Sequence, residues 1–462
     1  MKNKNLISTL ILTTAFSMNS IKTEAAVSLN AKGVGQVLIY PYYTVNNNIN
    51  TLISLTNTTD NVKAVKIKFL EGKNNRDTLI FNAYIAPHDV WTAALVPALS
   101  TIQSHTGEES VKLVANDSSC TVPMGISGQE FLPFAFEGSF DDGFTTNLSR
   151  VTEGQIQVFD MGNVVGEFAD WAMQSNNTQD CSSLQNNWTS NGIWTNNPTE
   201  NITAPNGSGG LFGSVTLIDV NAGIDIAYNA EAIEGYSTAI QHESPASALP
   251  NLNSGNSNIS SITTALNTNS VPWEFPFQAI SSLFMSREIY SEYIVGNGIG
   301  ANTEMIVSFP TKEFFTDPSK SPLQTPLVPF TSNIGECEPA ELLSYDRETS
   351  NSTNSLELCM AVNTIEFITG GNMNGPSTIL GSNNTVRVDT SFDKGWANLV
   401  FNQTVPTSDT TQISLNTYFF TGMPITGFTI QKYVNSELSG GILANYAGLV
   451  KHKGTTEMII VQ

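Results

Sequence analysis

KAVKIKFLEGKNNRDTLIFNAYI, residues 63–85, decides the fold class. In its first run Val65, Ile67 and Phe69 fall on one face, and Lys66 and Lys68 point the other way. In its last run Leu79, Phe81, Ala83 and Ile85 share a face. A period of two belongs to a strand, because successive strand side chains leave opposite sides of the sheet. Between the runs lies Glu71–Asp77, a polar turn rich in Asn. Alternating runs joined by such a turn read as neighbouring antiparallel strands.

The same pattern recurs on both sides. Val34–Tyr40, Thr51–Asn57, Val90–Val96, Val111–Ala115 and Gln155–Asp160 read as short strands, and Leu211–Val220 and Ile224–Ala232 resume the series. Thr303–Phe309, Glu357–Phe367, Ala397–Val405, Thr411–Phe420 and Gly427–Val434 follow. Short strands with turn signals between them predict a mostly β protein of antiparallel, immunoglobulin-like sandwiches. Helical spacing is confined to Val165–Met173 and Phe277–Ile294. Gln174–Gly210 and Glu243–Ser270 are long polar breaks. The first suggests a boundary near residue 200, giving domains 26–200 and 201–462. One continuous β domain over 26–462 fits the composition equally well.

The first 25 residues are of another kind. Lys2 and Lys4 precede an apolar run, Leu6–Met18, and small residues surround Thr23 and Ala25. That order matches a secretory signal cut between Ala25 and Ala26. No later stretch is apolar and long enough for a spanning helix. Four cysteines in an exported chain suggest two disulfides. Three pairings are possible, and proximity favours Cys120–Cys181 and Cys337–Cys359.

Composition narrows the function classes. Hydrophobic residues make up 40% of the chain, enough for a sizeable core. Charged residues are only 13%, against a usual ~25%, and Asn, Thr, Ser and Gly take their place. The net charge of −21, with no Lys/Arg cluster, excludes nucleic acid and anionic lipid as partners.

Several phrases occur in order along the chain: GVGQVLIYPYYT (33–44), TLISLTNTTDNVKAVKIKFLEGKNNRD (51–77), APHDVWTAAL (86–95), GGLFGSVTLIDV (209–220), VSFPTKEFFTD (307–317) and NYAGLVKHKGT (445–455). Together they resemble a family of exported, uncharacterised proteins of Gram-negative bacteria. The resemblance implies export and a shared fold, and it transfers no site residue.

Catalytic signatures are weak. Gly-x-Ser-x-Gly is absent, and Gly125-Ile126-Ser127-Gly128 only approaches it. His88 reads as a turn residue, His105 and His242 lie in polar stretches, and His452 reads as part of a solvated basic patch. With no Cys-x-x-Cys, zinc is disfavoured. Asp141-Asp142-Gly143 lacks the rest of a calcium loop and reads as a turn. GSGGLFG (207–213) precedes a strand and carries no Lys-Ser/Thr, so it is not a phosphate cradle, and no cofactor is expected.

The Asn-rich segment around Trp188 and Trp194 is the most informative local feature. Indoles among amides suit stacking on sugar rings while the amides bond hydroxyls. The competing reading is that both fold back as anchors for the loop. Trp91, Trp171 and Trp396 sit in patterned segments and read as core. The expectation is a non-enzymatic envelope or surface protein that binds a partner protein or a glycan through sandwich loops, with Trp188 and Trp194 as the binding residues. The rivals are a secreted hydrolase of an envelope polymer, with acids from distant strands, and an outer-membrane β-barrel, which expects regular strands and aromatic girdles.

Overall fold

The stretch 63–85 falls in two strands, Val62–Glu71 and Asp77–Ile85, paired antiparallel with Ile67 opposite Phe81. Val65, Ile67, Phe69, Leu79, Phe81, Ala83 and Ile85 all enter one apolar core, as the alternation requires. The computed structural model describes residues 26–461 except 174–178, 265–266, 297–299, 324, 331–334, 372, 407–416 and 439–441. The signal segment 1–25, with Ala25 of the expected cleavage pair, lies outside the described residues. So does Thr411–Asn416 of one expected strand.

Two pairs of largely antiparallel sheets form the bulk of the described residues, with three smaller antiparallel sheets beside them. In the first pair, one sheet runs Ser28–Leu29, Glu231–Glu234, Val37–Thr44, Glu153–Val164, Val62–Glu71, Asp77–Ile85, Cys120–Val122. The facing sheet runs Ile224–Asn229, Leu211–Asp219, Ile49–Asn57, Val90–Leu99, Glu109–Val114. Tyr40 crosses between them, donating its hydroxyl to Ser54 O at 3.0 Å. Gly213 makes this possible, since a Cβ there would sit 1.8 Å from that hydroxyl. Strands from 211–234 complete both sheets, so the boundary drawn near residue 200 cuts through them. A polar linker by composition is here only a connection within one sandwich.

The second pair consists of Asn351–Leu358, Glu338–Tyr345, Lys394–Val400, Glu288–Ile294, Lys453–Thr455 and of Thr385–Asp389, Val362–Ile368, Ala301–Ser308, Thr426–Leu438, Ile442–Lys451. One pairing, Val362–Ile368 with Thr385–Asp389, is parallel. Among the described residues no sheet closes on itself. Helices are short: Glu167–Ala172, Cys181–Asn186, Ile193–Asn196, Pro276–Leu283 and Lys312–Thr316. The helix expected over Phe277–Ile294 stops at Leu283, and Glu288–Ile294 becomes a strand. Its β-branched and aromatic residues Ile289, Tyr290, Tyr293 and Ile294 favour that outcome.

The two pairs are joined by shared core and by polar bonds. Ile306, Val362, Phe428 and Ile430 of the second pair belong to the core of the first. Ser308 Oγ donates to Pro41 O at 2.6 Å, and Val362 N donates to Gly72 O at 2.8 Å. Arg76 Nη2 pairs with Asp317 at 2.8 Å, both buried. Arg150, 3% exposed, lies between Glu71 and Asp142 and bonds Glu71 through Nε at 2.9 Å and Nη2 at 3.1 Å. Burial opposes ionisation of Asp142, yet Arg150 and the Asn74 amide hold it down to about 2.

The central sheet is covered on both faces. Val37–Thr44, Val62–Glu71 and Glu153–Val164 are buried along their whole length. Part of the second face is covered by the polar break Glu243–Ser270. Lys66 Nζ donates to Ser244 O at 2.6 Å and Pro245 O at 3.3 Å, and Lys68 Nζ donates to Ala248 O at 3.0 Å. Two disulfides are formed, Cys120–Cys181 and Cys337–Cys359, the pairing that proximity favoured. No described helix is long and apolar enough to cross a membrane.

Candidate functional site

The Cys120–Cys181 bridge fastens the helix Cys181–Asn186 to the edge strand Cys120–Val122. Asp180 caps that helix, accepting from Ser183 N at 3.1 Å. The chain then turns at Gly192, where a Cβ would lie 2.2 Å from Asn187 O, and enters the helical turn Ile193–Asn196. The turn sends Trp194 inward. It has no exposed surface, stacks on Tyr84 with centroids 5.3 Å apart, and donates its indole N–H to Glu200 O at 2.9 Å. Trp194 is therefore an anchor of the loop. An indole released into water would expose its whole apolar area, and Tyr84 of strand Asp77–Ile85 and Phe168 of helix Glu167–Ala172 cover it.

Trp188 is placed differently. It is half-buried and donates Nε1–H to the Tyr84 hydroxyl at 2.9 Å. Tyr84 is 3.0 Å from His242 Nε2, and His242 Nδ1 is 2.6 Å from Pro198 O. A carbonyl only accepts, so Nδ1 carries the imidazole proton and Nε2 accepts from Tyr84. The chain Trp188, Tyr84, His242, Pro198 is thus a directed series of hydrogen bonds. Burial pushes His242 down to about 4 and holds the Tyr84 phenol protonated well above its usual value. The ring of Trp188 is fixed in angle by this series.

Beside it opens a groove of about 590 Å³, walled by Trp188, Gln185, Thr189, Pro198, Glu243 and Pro245, with Trp194 beneath its floor. One wall is the segment Glu243–Ala246, held to the sheet by Lys66 and by Asn82, whose Nδ2 donates to Glu243 O at 2.9 Å. The lining offers an aromatic ring, prolines, an amide, hydroxyls and one carboxylate, and no cationic group.

The remaining candidates fall elsewhere. Trp91 is buried core, and Trp171 stacks on Phe168 at 4.7 Å. Trp396, expected in the core, is 40% exposed on the outer face of its sheet. There it stacks on Tyr345 with centroids 4.1 Å apart and planes 5° apart, and Tyr290 lies 6.4 Å away. Stacked across strands in this way, the rings cover one another's faces.

His88 adopts a positive φ of 57° in its turn, with Nε2 2.8 Å from exposed Asp60. His105 lies between Glu108, at 2.8 Å, and Glu137. Burial opposes its charge, but the two carboxylates hold its pKa above the usual value. The His452 ring is not solvated: it packs against Gly427, and burial pushes it down to about 3 with the Phe428 backbone opposing. Asp142 is committed to Arg150, and no three metal-ligating side chains cluster among the described residues. Comparison of the chain with protein-family models, curated proteins and solved structures finds no match.

Proposed function

We propose that this is an exported protein of the periplasm or cell surface that binds a glycan in the Trp188 groove. The observation that carries the reading is the fixed, half-buried indole of Trp188 beside amide and hydroxyl groups in a groove without cations. An aromatic face meets the C–H side of a sugar ring, and Gln185, Thr189 and Glu243 are placed to bond its hydroxyls. Glu243 and the net charge of −21 favour a neutral or amino sugar over an acidic one. Two disulfides and the signal-like first 25 residues support an oxidising compartment.

The test is a screen of neutral, amino-sugar and acidic oligosaccharides against wild type, Trp188→Ala and Trp396→Ala. Trp188→Ala should lose about tenfold in affinity, the effect of removing one stacking ring, while Trp396→Ala binds as wild type. Equal signals from wild type and Trp188→Ala would remove the reading.

A further inference from the structure

The groove wall rests on two buried bases. Lys66 has no exposed surface, and its Nζ contacts the carbonyls of Ser244 and Pro245. No carboxylate lies within ion-pair distance of it among the described residues, whereas its neighbours are matched. Lys63 pairs with Asp160 at 2.7 Å, and Lys68 with Asp77 at 3.0 Å. His242, 2% exposed, immediately precedes the wall and closes the hydrogen-bond series that fixes Trp188. Both bases are covered by the same stretch of chain, so lifting that stretch would hydrate both.

We propose that His242–Ala248 is an acid-released flap: protonation of Lys66, and then of His242, favours lifting the segment from the sheet and opening the groove. The inference rests on the groove being the binding site and supplies its regulation. A buried ammonium without a counter-charge is penalised, and exposure to water relieves the penalty. Burial, and next the like charge of Lys68, push Lys66 down to about 7, with Glu243 and Asp77 opposing. Burial likewise pushes His242 down to about 4, with the Pro198 carbonyl opposing and Lys66 adding to the shift. Of the other charged groups facing these bases, Glu243 and Asp77 are carboxylates that favour the charged lysine, and Lys68 already pairs with Asp77. Asp160 is held by Lys63.

The sign follows from linkage. The closed flap prefers the neutral amine, and the open flap restores an ordinary lysine near pKa 10.4. Closure therefore weakens as pH falls from about 10.4 to about 7 and then levels off with respect to Lys66. His242 adds a second weakening between about 6.5 and about 4, so the two act in one direction.

Hydrogen–deuterium exchange of the amides of Glu243, Ser244, Ala246, Ser247 and Ala248, corrected for intrinsic chemistry, reads the flap directly. In wild type, protection should fall by about tenfold or more between about pH 8.5 and about pH 6, and further toward about pH 4.5. Lys66→Met should lose the first fall, whatever its absolute protection, and His242→Gln the second. Unchanged wild-type protection across the range, or an undiminished first fall in Lys66→Met, overturns the proposal. If Lys66→Met does not fold, the wild-type series decides, with strand Leu211–Asp219 as the internal control. The readout needs no ligand, so failure of glycan binding and failure of the flap are separate results.

Discussion

Two sheet faces in this molecule reverse what their sequences imply. On strand Val62–Glu71 the even positions carry Lys66 and Lys68, the residues that ordinarily mark the watery side, yet they are 0% and 2% exposed. On strand Lys394–Val400 the outer face carries Trp396, a residue that ordinarily marks the core, and it is 40% exposed. The difference lies in what each face meets. The lysine face is covered by part of the polar break Glu243–Ser270, whose carbonyls accept from both side-chain nitrogens. The tryptophan face meets its own sheet neighbours Tyr345 and Tyr290, which shield it in part. Alternation along a strand separates two faces; it carries no information about which distant segment lands on either.

The strongest way to break the comparison is at the indole that is fully inside. Trp194→Ala should cost about 3–5 kcal/mol, the range for emptying a buried aromatic site. Urea unfolding followed by circular dichroism measures it, and a loss below about 1 kcal/mol would mean the loop does not depend on this anchor. The loop's structure was only half legible. Two tryptophans among Asn, Ser and Thr show that something aromatic is held there, and nothing local shows that Tyr84 and His242, far away in sequence, come to cover them. The disulfide was legible through spacing, since Cys120 and Cys181 are the nearest partners before the gap to Cys337. His242 was passed over because its neighbours in sequence are polar, and its role depends on the strand and loop it closes upon. The boundary near residue 200 failed for a related reason. A change of composition marks where the chain leaves a sheet, and strand Leu211–Asp219 then returns to pair with Ile49–Asn57.

The lysine face sharpens the comparison through its own internal contrast. Lys68→Met removes the partner of Asp77, which is 3% exposed and would be left as a buried charge, and the expected cost is about 3 kcal/mol. Lys66→Met removes a cation without a counter-charge and should cost clearly less at neutral pH, because a desolvation penalty leaves with it. Unfolding free energies of the two variants, measured together at about pH 7, decide the order. Adding Asp77→Asn to Lys68→Met should recover much of the loss, and a double variant as unstable as the single one would show that the pair is not what holds the face.

The smallest effect is expected at the exposed tryptophan. Trp396→Ala removes an indole, but one whose ring is 40% in water already and whose closest contact is the face of Tyr345. Only the cross-strand pairing term is at stake, about 0.5–1.5 kcal/mol, well under the loss at Trp194. Tyr345→Ala should cost a similar amount, and the double variant should cost less than the sum, since either single change already removes the shared stack. If Trp396→Ala instead destabilises as severely as Trp194→Ala, the outer face is structural to the same degree as the core. If it is neutral, the stack contributes little to the fold, and the exposed rings are free to vary without affecting the sheet beneath them.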